Sequence, residues 1–589
     1  MTGDSLHEQF EEAQRYLLGI HTLKDESKGY SLLNKLVDAG HTDALAVFSF
    51  CNEFGLGCSV DLKKAEAGYI IAANQGNGLA QSRLAFLRQF GRPKVKIDYQ
   101  ESVVWQMKLK EKGPSSISWL FMAAEWRNSS AEYCLGTCFH DGIAVEVDEY
   151  EAIKWYKRSA EQGHPRGIGI LGYCYGEGYG VPKDEVEAFR LYCLAAEQND
   201  SVAIYNVGHC YEEGKGVEKN VTEAIKWYER AAMQENAPAQ NALAYCYEEG
   251  VGVEKNIEAA VYLYRKAAEQ GNSHALCNLG YCYQNGIGVE ADPETCVRLY
   301  YQAAIQGHSR AQHNLAYCYQ IGSGVPKDDQ LAFSWYAKSA QGNNSFAYQS
   351  LGHCYQHGIG VEKDEVMAFK CFQKSAELGN AVGQLCLANF YRSGIGIKQD
   401  LKLAIFWFSR SAQQGHQLAQ NSLGYCYEEG IGVKKDDKMA FYWYEKSAQQ
   451  GNAFAICNLA SCYAEGIGID RNEEMAFELY QRAASLNHAR AQTRLGFCFQ
   501  YGIGTRKDYT KAFHWYKVAA EQGYISAQYN VGNCYEKGIG TELDIDEAIA
   551  WFQKAAANGH STSAQRLSRL MLYKFGDLGM KYGRAACCA

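Results

Sequence analysis

The chain has 589 residues, 47% of them apolar, with 42 tyrosines and only seven prolines; this supplies core material along the whole length and excludes a disordered chain. Its 58 basic and 67 acidic residues are mixed along the sequence at a net charge of −9, so no basic stripe awaits a phosphate backbone and nucleic acid is not an expected partner. No run of 18 apolar residues occurs, and the opening MTGDSLHEQFEEAQRY has acids where a secretory signal is basic, so no transmembrane segment and a cytoplasmic location are expected.

Residues 1–113 carry worn copies of a repeat. Phe48 and Leu84 stand 36 residues apart, with Gly55, Gly57 and Gly76 in step. From Leu84 to Leu135 the distance is 51 residues, one period plus 15, and the excess falls around Gly113 to Asn128. This predicts one extra helix in an irregular junction, 114–130. Trp105, Trp119 and Trp126 crowd there to cap a misfit between two stacks, and a change of stacking angle at that point would open a groove.

Over 131–566 the repeat is regular. Leu135, Leu171, Val207, Leu243, Leu279, Leu315, Leu351, Leu387, Leu423, Leu459, Leu495 and Val531 anchor twelve units of 36 residues each, without insertion. Such a period marks a solenoid whose units bury their apolar faces only by stacking. A small residue four before the anchor, usually Cys three after it and Tyr or Phe four after it make one face of a first helix. The glycine that usually follows the anchor permits close approach of a neighbour. A glycine pair such as Gly430 and Gly432 stops this helix; Ala144 is the exception in the run. Four residues on, Asp or Asn caps a second helix, most clearly where Pro293 follows Asp292. That helix buries an Ala, carries Trp or Leu three on and an aromatic four on, as in Trp443 and Tyr444, and stops at Gly or Asn. Residues 567–589 read as a capping helix and tail.

The anchor Leu-Gly, the G-x-G-V loop, the capping Asp, the Ala-aromatic-x-Trp-Tyr segment and the closing Ala-x-x-Gly-Asn resemble the Sel1-like repeat, a relative of the tetratricopeptide repeat. The resemblance implies an all-α fold, an α/α solenoid superhelix of helix-turn-helix units that serves as an adaptor or scaffold. It also brings two other functions into view: an activator subunit of a membrane enzyme, as in chitin synthase activators, and the β-lactam binding or hydrolysis claimed for bacterial cysteine-rich relatives. Those relatives carry cysteine pairs within each repeat. Eleven of the 22 cysteines here, Cys138 to Cys534, share one place in the repeat, and stacked equivalents lie about 8–10 Å apart. That is too far for a disulfide, so reduced thiols are expected.

The repeated polar residues all have structural explanations, so no catalytic residue, cofactor or metal is expected. The G-x-G loops lack the Lys-Ser/Thr of a P-loop. Cysteines between Leu and Tyr on a core face are small hydrophobes. His353 and His357 have the i, i+4 spacing of a metal pair but no third ligand nearby. Cys587 and Cys588 offer the one route to membrane association, through lipidation. Positions one before and two after the anchor remain, which in tetratricopeptide-like superhelices line the concave groove. There Asn206 with His209, Asn278 with Tyr281, Asn314 with Tyr317, and the further rungs His353, Tyr425, Asn458 and Asn530 form an uncharged ladder of amides and aromatics. Such groups suit an extended peptide, and the expected function is non-enzymatic binding of a protein or peptide in that groove.

Overall fold

The computed structural model describes residues 3–92 and 95–572. Among them thirty-one α-helices and one short 3-10 helix are bounded, and a further helical stretch runs over 561–572 with Leu567 at its middle. The fold is an all-α solenoid of tandem helix pairs. Its residues divide into two compact units between Gly342 and Asn343.

Each repeat is built the same way, as the pair Gln417–Glu429 and Asp437–Gln449 shows. The first helix ends on Gly430 at φ 72°, whose N–H donates to the Cys426 carbonyl. The second begins at Asp436, whose carboxylate accepts the Met439 N–H. Between them the second-helix aromatic is fully buried: Tyr156, Tyr228, Tyr264, Tyr300, Tyr336, Tyr444 and Tyr516 are all below 2% exposed. Its ring lies over the residue after the anchor, usually glycine. A Cβ on Gly208 would stand 2.8 Å from the Tyr228 ring and 3.1 Å from the Ala224 carbonyl oxygen, so glycine gives the closest approach here, while alanine stands at the same place in four repeats, as at Ala244 under Tyr264.

The buried phenol needs an acceptor, and the first helix supplies one five residues after the anchor. Tyr228 donates to Glu212 at 2.6 Å, Tyr264 to Glu248 at 2.7 Å, Tyr300 to Gln284 at 2.7 Å, Tyr444 to Glu428 at 2.5 Å and Tyr516 to Gln500 at 2.8 Å. Burial first, and the bond to Glu212 second, push the Tyr228 phenol far above its ordinary pKa.

Between repeats two contacts recur. A glutamine three before the anchor is buried and donates to the carbonyl eight residues earlier, at the end of the preceding second helix: Gln420 to Ala412 at 3.1 Å, Gln312 to Ala304 at 3.0 Å. The second loop glycine presses on the start of the preceding second helix. A Cβ on Gly468 would lie 2.1 Å from the Asp437 carbonyl oxygen, and one on Gly324 2.1 Å from that of Pro293. Thirty-one residues before Ala144 stands Gly113, where a 3-10 turn replaces the second helix. The glycine is dispensable there, and Ala144 takes φ 63° instead.

The junction is one such turn, Gly113–Ile117, followed by the eight-residue helix Ser118–Glu125. This helix closes as a second helix does: Arg127 takes the left-handed conformation at φ 55°, and the Asn128 side chain accepts the Ala131 N–H. The three tryptophans serve packing. Trp105 is buried, Trp119 meets Phe50 edge-on at 5.0 Å and Trp126 meets His21 at 5.4 Å.

First helices are capped as well, and here the sequence analysis left a position unread. The residue before the helix accepts the N–H three residues on, through Asn272, Asn452 and Asp200 in some repeats and through histidine Nδ1 in others: His164 to Gly167 at 3.1 Å, His308 to Ala311 at 3.1 Å, His488 to Ala491 at 3.2 Å. Nδ1 accepts only when unprotonated. Burial, with Arg166 adding repulsion, lowers His164 to about 3; burial, with His274 and Arg310, lowers His308 to about 4.

Two outcomes follow. Gly468→Ala combines a disallowed approach with a left-handed φ, whereas a Cβ on Gly451 (φ 85°) meets nothing within 4 Å. In thermal unfolding Gly468→Ala is expected to cost roughly 3 kcal/mol or more and Gly451→Ala about 1 kcal/mol, with Gly451→Asn milder still. For the caps, a folded-state pKa below the unfolded value near 6.5 means that the unfolded chain binds more protons. Stability is therefore full above about pH 6.5 and falls as pH drops toward the folded pKa. His308→Asn, measured by midpoint at pH 7.5 and pH 5, should leave stability unchanged within about 1 kcal/mol at the higher pH and reduce the acid loss by about 1–2 kcal/mol.

Candidate functional site

Within each unit, consecutive first helices touch one another directly, as Ser129–Asp141 touches Pro165–Glu177 and Ser345–His357 touches Ala381–Ser393. Consecutive second helices are joined by side chains, as where Arg230 donates to the Ala196 carbonyl at 2.9 Å. The ten candidate residues all lie on first helices. Asn206, His209, Asn278, Tyr281, Asn314 and Tyr317 belong to the first unit, and His353, Tyr425, Asn458 and Asn530 to the second. Tyr281, Tyr317 and Tyr425 are each 43% exposed, the same setting three times over, and the asparagines are half-buried.

The amides are partly engaged within the solenoid. Asn278 Nδ2 donates to Asn241 Oδ1 at 3.0 Å, and Asn458 Nδ2 to Asn421 Oδ1 at 3.0 Å. Arg490 donates to the Asn458 oxygen at 3.1 Å, and Asn314 Oδ1 lies 3.4 Å from His313 Nδ1. The column two before the anchor, which holds Asn241 and Asn421, therefore belongs to this surface. Sequence reasoning passed over it, although its variability (Tyr133, Gly169, Tyr205, Asn241, Cys277, His313) was a signal against a purely structural role. Glu428, on the same first helix as Tyr425, is the acceptor of the Tyr444 phenol.

His209 stacks parallel to Tyr205 at 6.2 Å and stands 3.7 Å from Glu212. Together with Glu213 they place one potential ligand atom each within 4.8 Å. Glu212 already holds the Tyr228 hydroxyl, and the group is half-buried to exposed. His353 and His357 have ring centroids 6.2 Å apart, with His353 edge-on to Phe372. The core cysteines are buried among hydrophobes; burial pushes the Cys134 thiol up to about 12 and Cys426 to about 11, away from nucleophilic thiolate chemistry. Among the described residues no helix is long and apolar enough to cross a membrane. Cys587 and Cys588 lie outside the described residues.

One half-open space is lined by both charged and aromatic side chains. In the first unit a cavity of about 580 Å³ lies beside the junction, lined by Phe86, Phe90, Arg92, Tyr133, Arg166 and Asn206 among others. Asn206 is the only one of the ten candidates that reaches it. The unit closes on itself beside it: the Ile97 N–H donates to the Gln270 carbonyl at 3.1 Å. A groove at the junction was expected on account of the tryptophans, but this cavity is built from phenylalanine, tyrosine and arginine, and the tryptophans do not line it.

The chain resembles a solved protective antigen of uropathogenic Escherichia coli, at 34% identity over 71% of this chain and 90% of that one, with a TM-score of 0.57. A Sel1 repeat protein from Oxalobacter formigenes is 29% identical over 53% of this chain and 91% of its own, with a TM-score of 0.42. Comparison with the curated proteins gives no match. Solenoids of this kind are generally protein-interaction scaffolds and typically non-enzymatic. The Sel1 repeat model matches fifteen segments, 11–41, 44–77, 78–105 and twelve more from 129–164 to 525–560, and the chain therefore belongs to the Sel1 repeat family.

Proposed function

We propose that the chain is a non-enzymatic cytoplasmic adaptor that holds an extended segment of a partner protein along its first helices. The observation that carries this reading is the repeated rung of Tyr281, Tyr317 and Tyr425, rings held at one identical exposure beside half-buried amides in a surface that stacking does not consume. Rigid aromatic rings offer contact area at low entropic cost, and neighbouring amides match the donors and acceptors of an extended backbone. Thiols buried in the repeat seam suit a reducing compartment, which supports the cytoplasmic assignment.

Four substitutions, Asn278→Ala, Tyr281→Ala, Asn314→Ala and Tyr317→Ala, remove two adjacent rungs and leave the anchors Leu279 and Leu315 in place. In a comparative pull-down from the native cell, followed by titration of the partner recovered, the combined variant should bind roughly tenfold or more weakly while retaining its circular dichroism spectrum. An identical set of partners at unchanged affinity would remove this surface from the account.

A further inference from the structure

The junction cavity holds two guanidinium groups that the protein does not fully use. Arg92 donates from Nη2 to the Tyr133 hydroxyl at 2.9 Å and from Nη1 to the Gly91 carbonyl at 3.2 Å, while its Nε is sealed from solvent without a partner. Arg166 Nη1 is likewise sealed and unbonded. Its charge is shared by two ion pairs too long for hydrogen bonds, Glu53 at 3.6 Å and Asp200 at 4.0 Å. Glu53 is in any case engaged: Arg83 grips it twice, at 3.0 and 2.6 Å, and Tyr69 donates to it at 2.9 Å. Asp200 spends an oxygen capping its own helix, accepting from Ala203 at 2.9 Å.

Buried guanidinium N–H groups without acceptors are costly, and structures that keep them have a use for them. The charges around the cavity support that use. Arg83 and Glu53 cancel, which leaves Arg92 and Arg166 against Asp200. Asp141, the other lining carboxyl, is pushed up to about 7 by burial, so its negative charge is reduced near neutral pH. The guanidiniums also lie against aromatic rings, Arg92 4.8 Å from the Phe86 centroid and Arg166 5.3 Å from that of Phe54, which holds their planes in place.

The space itself is a product of the sequence. Between Tyr133 and Tyr205 the repeat places Gly169, whose added Cβ would meet nothing nearer than 3.8 Å. Those nearest atoms are the Cβ atoms of Ala195 and Ala203, and the glycine is itself one of the residues that line the cavity. Apolar Phe86, Phe90 and Ile170 make up one side and the amides of Asn206 and Asn236 another.

We propose that this cavity binds a carboxylate carried by a peptide: Arg92 and Arg166 hold the carboxylate, Phe86 and Phe90 take a neighbouring apolar side chain, and the Asn206 amide meets the backbone. The proposal rests on the peptide-binding reading above and places an anchor for such a segment in the first unit. A chain terminus and an acidic side chain present the same chemistry, so the test separates them.

Saturation-transfer NMR on the full chain would use three probes: N-acetyl-alanyl-phenylalanine with a free terminal carboxylate, N-acetyl-glutamyl-phenylalanine amide with only a side-chain carboxylate, and N-acetyl-glutaminyl-phenylalanine amide with none. At least one carboxylate probe should give a signal fivefold or more above the uncharged one, and which of them does so identifies the source. Arg166→Gln and Arg92→Gln should each abolish the difference. Gly169→Leu, which adds bulk at a lining position and leaves both arginines in the sequence, should do the same and serves as the second variant if an arginine variant misfolds. Equal signal from the uncharged probe, undiminished signal in Gly169→Leu, or displacement by inorganic phosphate in preference to both carboxylates would overturn the proposal; the last would point to a phosphorylated ligand. The Asn278, Tyr281, Asn314, Tyr317 variant keeps the cavity and should still bind the probe. If that variant loses its partner while wild type shows no carboxylate binding, the cavity proposal falls and the groove reading stands.

Discussion

The structure depends on one contact, the fully buried second-helix aromatic lying across the glycine or alanine that follows the first-helix anchor. A ring 2.8 Å from where a Cβ would be fixes both the spacing and the roll of the two helices. Where the ring is tyrosine, its hydroxyl must find an acceptor in a dry seam, and the Glu or Gln five residues after the anchor meets that need in most repeats. Where the ring is phenylalanine, as at Phe372, Phe408 and Phe552, the demand disappears and the position takes other partners: Glu536 pairs with Arg566, and Arg392 donates to Asn389 at 3.0 Å. The identity of one residue thus determines whether another, on the preceding helix, is available for anything else.

Stacking between repeats uses a second set of residues. The buried glutamines carry a donor to the carbonyls that end the preceding second helix, satisfying groups that a helix terminus leaves open. The second loop glycine brings two backbones together at a distance only glycine allows. Such nearest-neighbour terms sum along a solenoid. The junction shows a place where that term differs: a 3-10 turn stands at Gly113–Ile117, and Ala144 takes the left-handed conformation where other repeats have glycine.

Much of this was legible in the sequence, and what was missed has a consistent cause. The period, the stops at the glycine pairs and the caps of the second helices recur in nearly every unit, so repetition made them visible. The histidine caps of the first helices were hidden because the position alternates between Asn, Asp and His, and histidine is an uncommon cap read more readily as a ligand. The Glu428 clamp was hidden because an acidic pair on a helix surface reads as solvated, and only the distance to Tyr444, sixteen residues on, shows otherwise. The cavity was invisible because Arg92 and the helix that carries Arg166 and Gly169 lie far apart in the sequence, and none of the three is a recurring position of the repeat. Binding groups at non-repeating positions are the part of a repeat protein that its periodicity conceals.

The central claim is that stacking and binding occupy separate columns of the same first helices. A substitution scan through Ser273–Asn285 with two readouts, soluble abundance and capture of the recovered partner, tests it most directly. Substitutions at Leu279, Gly280 and Cys282 should lose abundance, whereas those at Asn278 and Tyr281 should keep abundance and lose capture. If capture followed abundance at every position, the separation of columns would be contradicted.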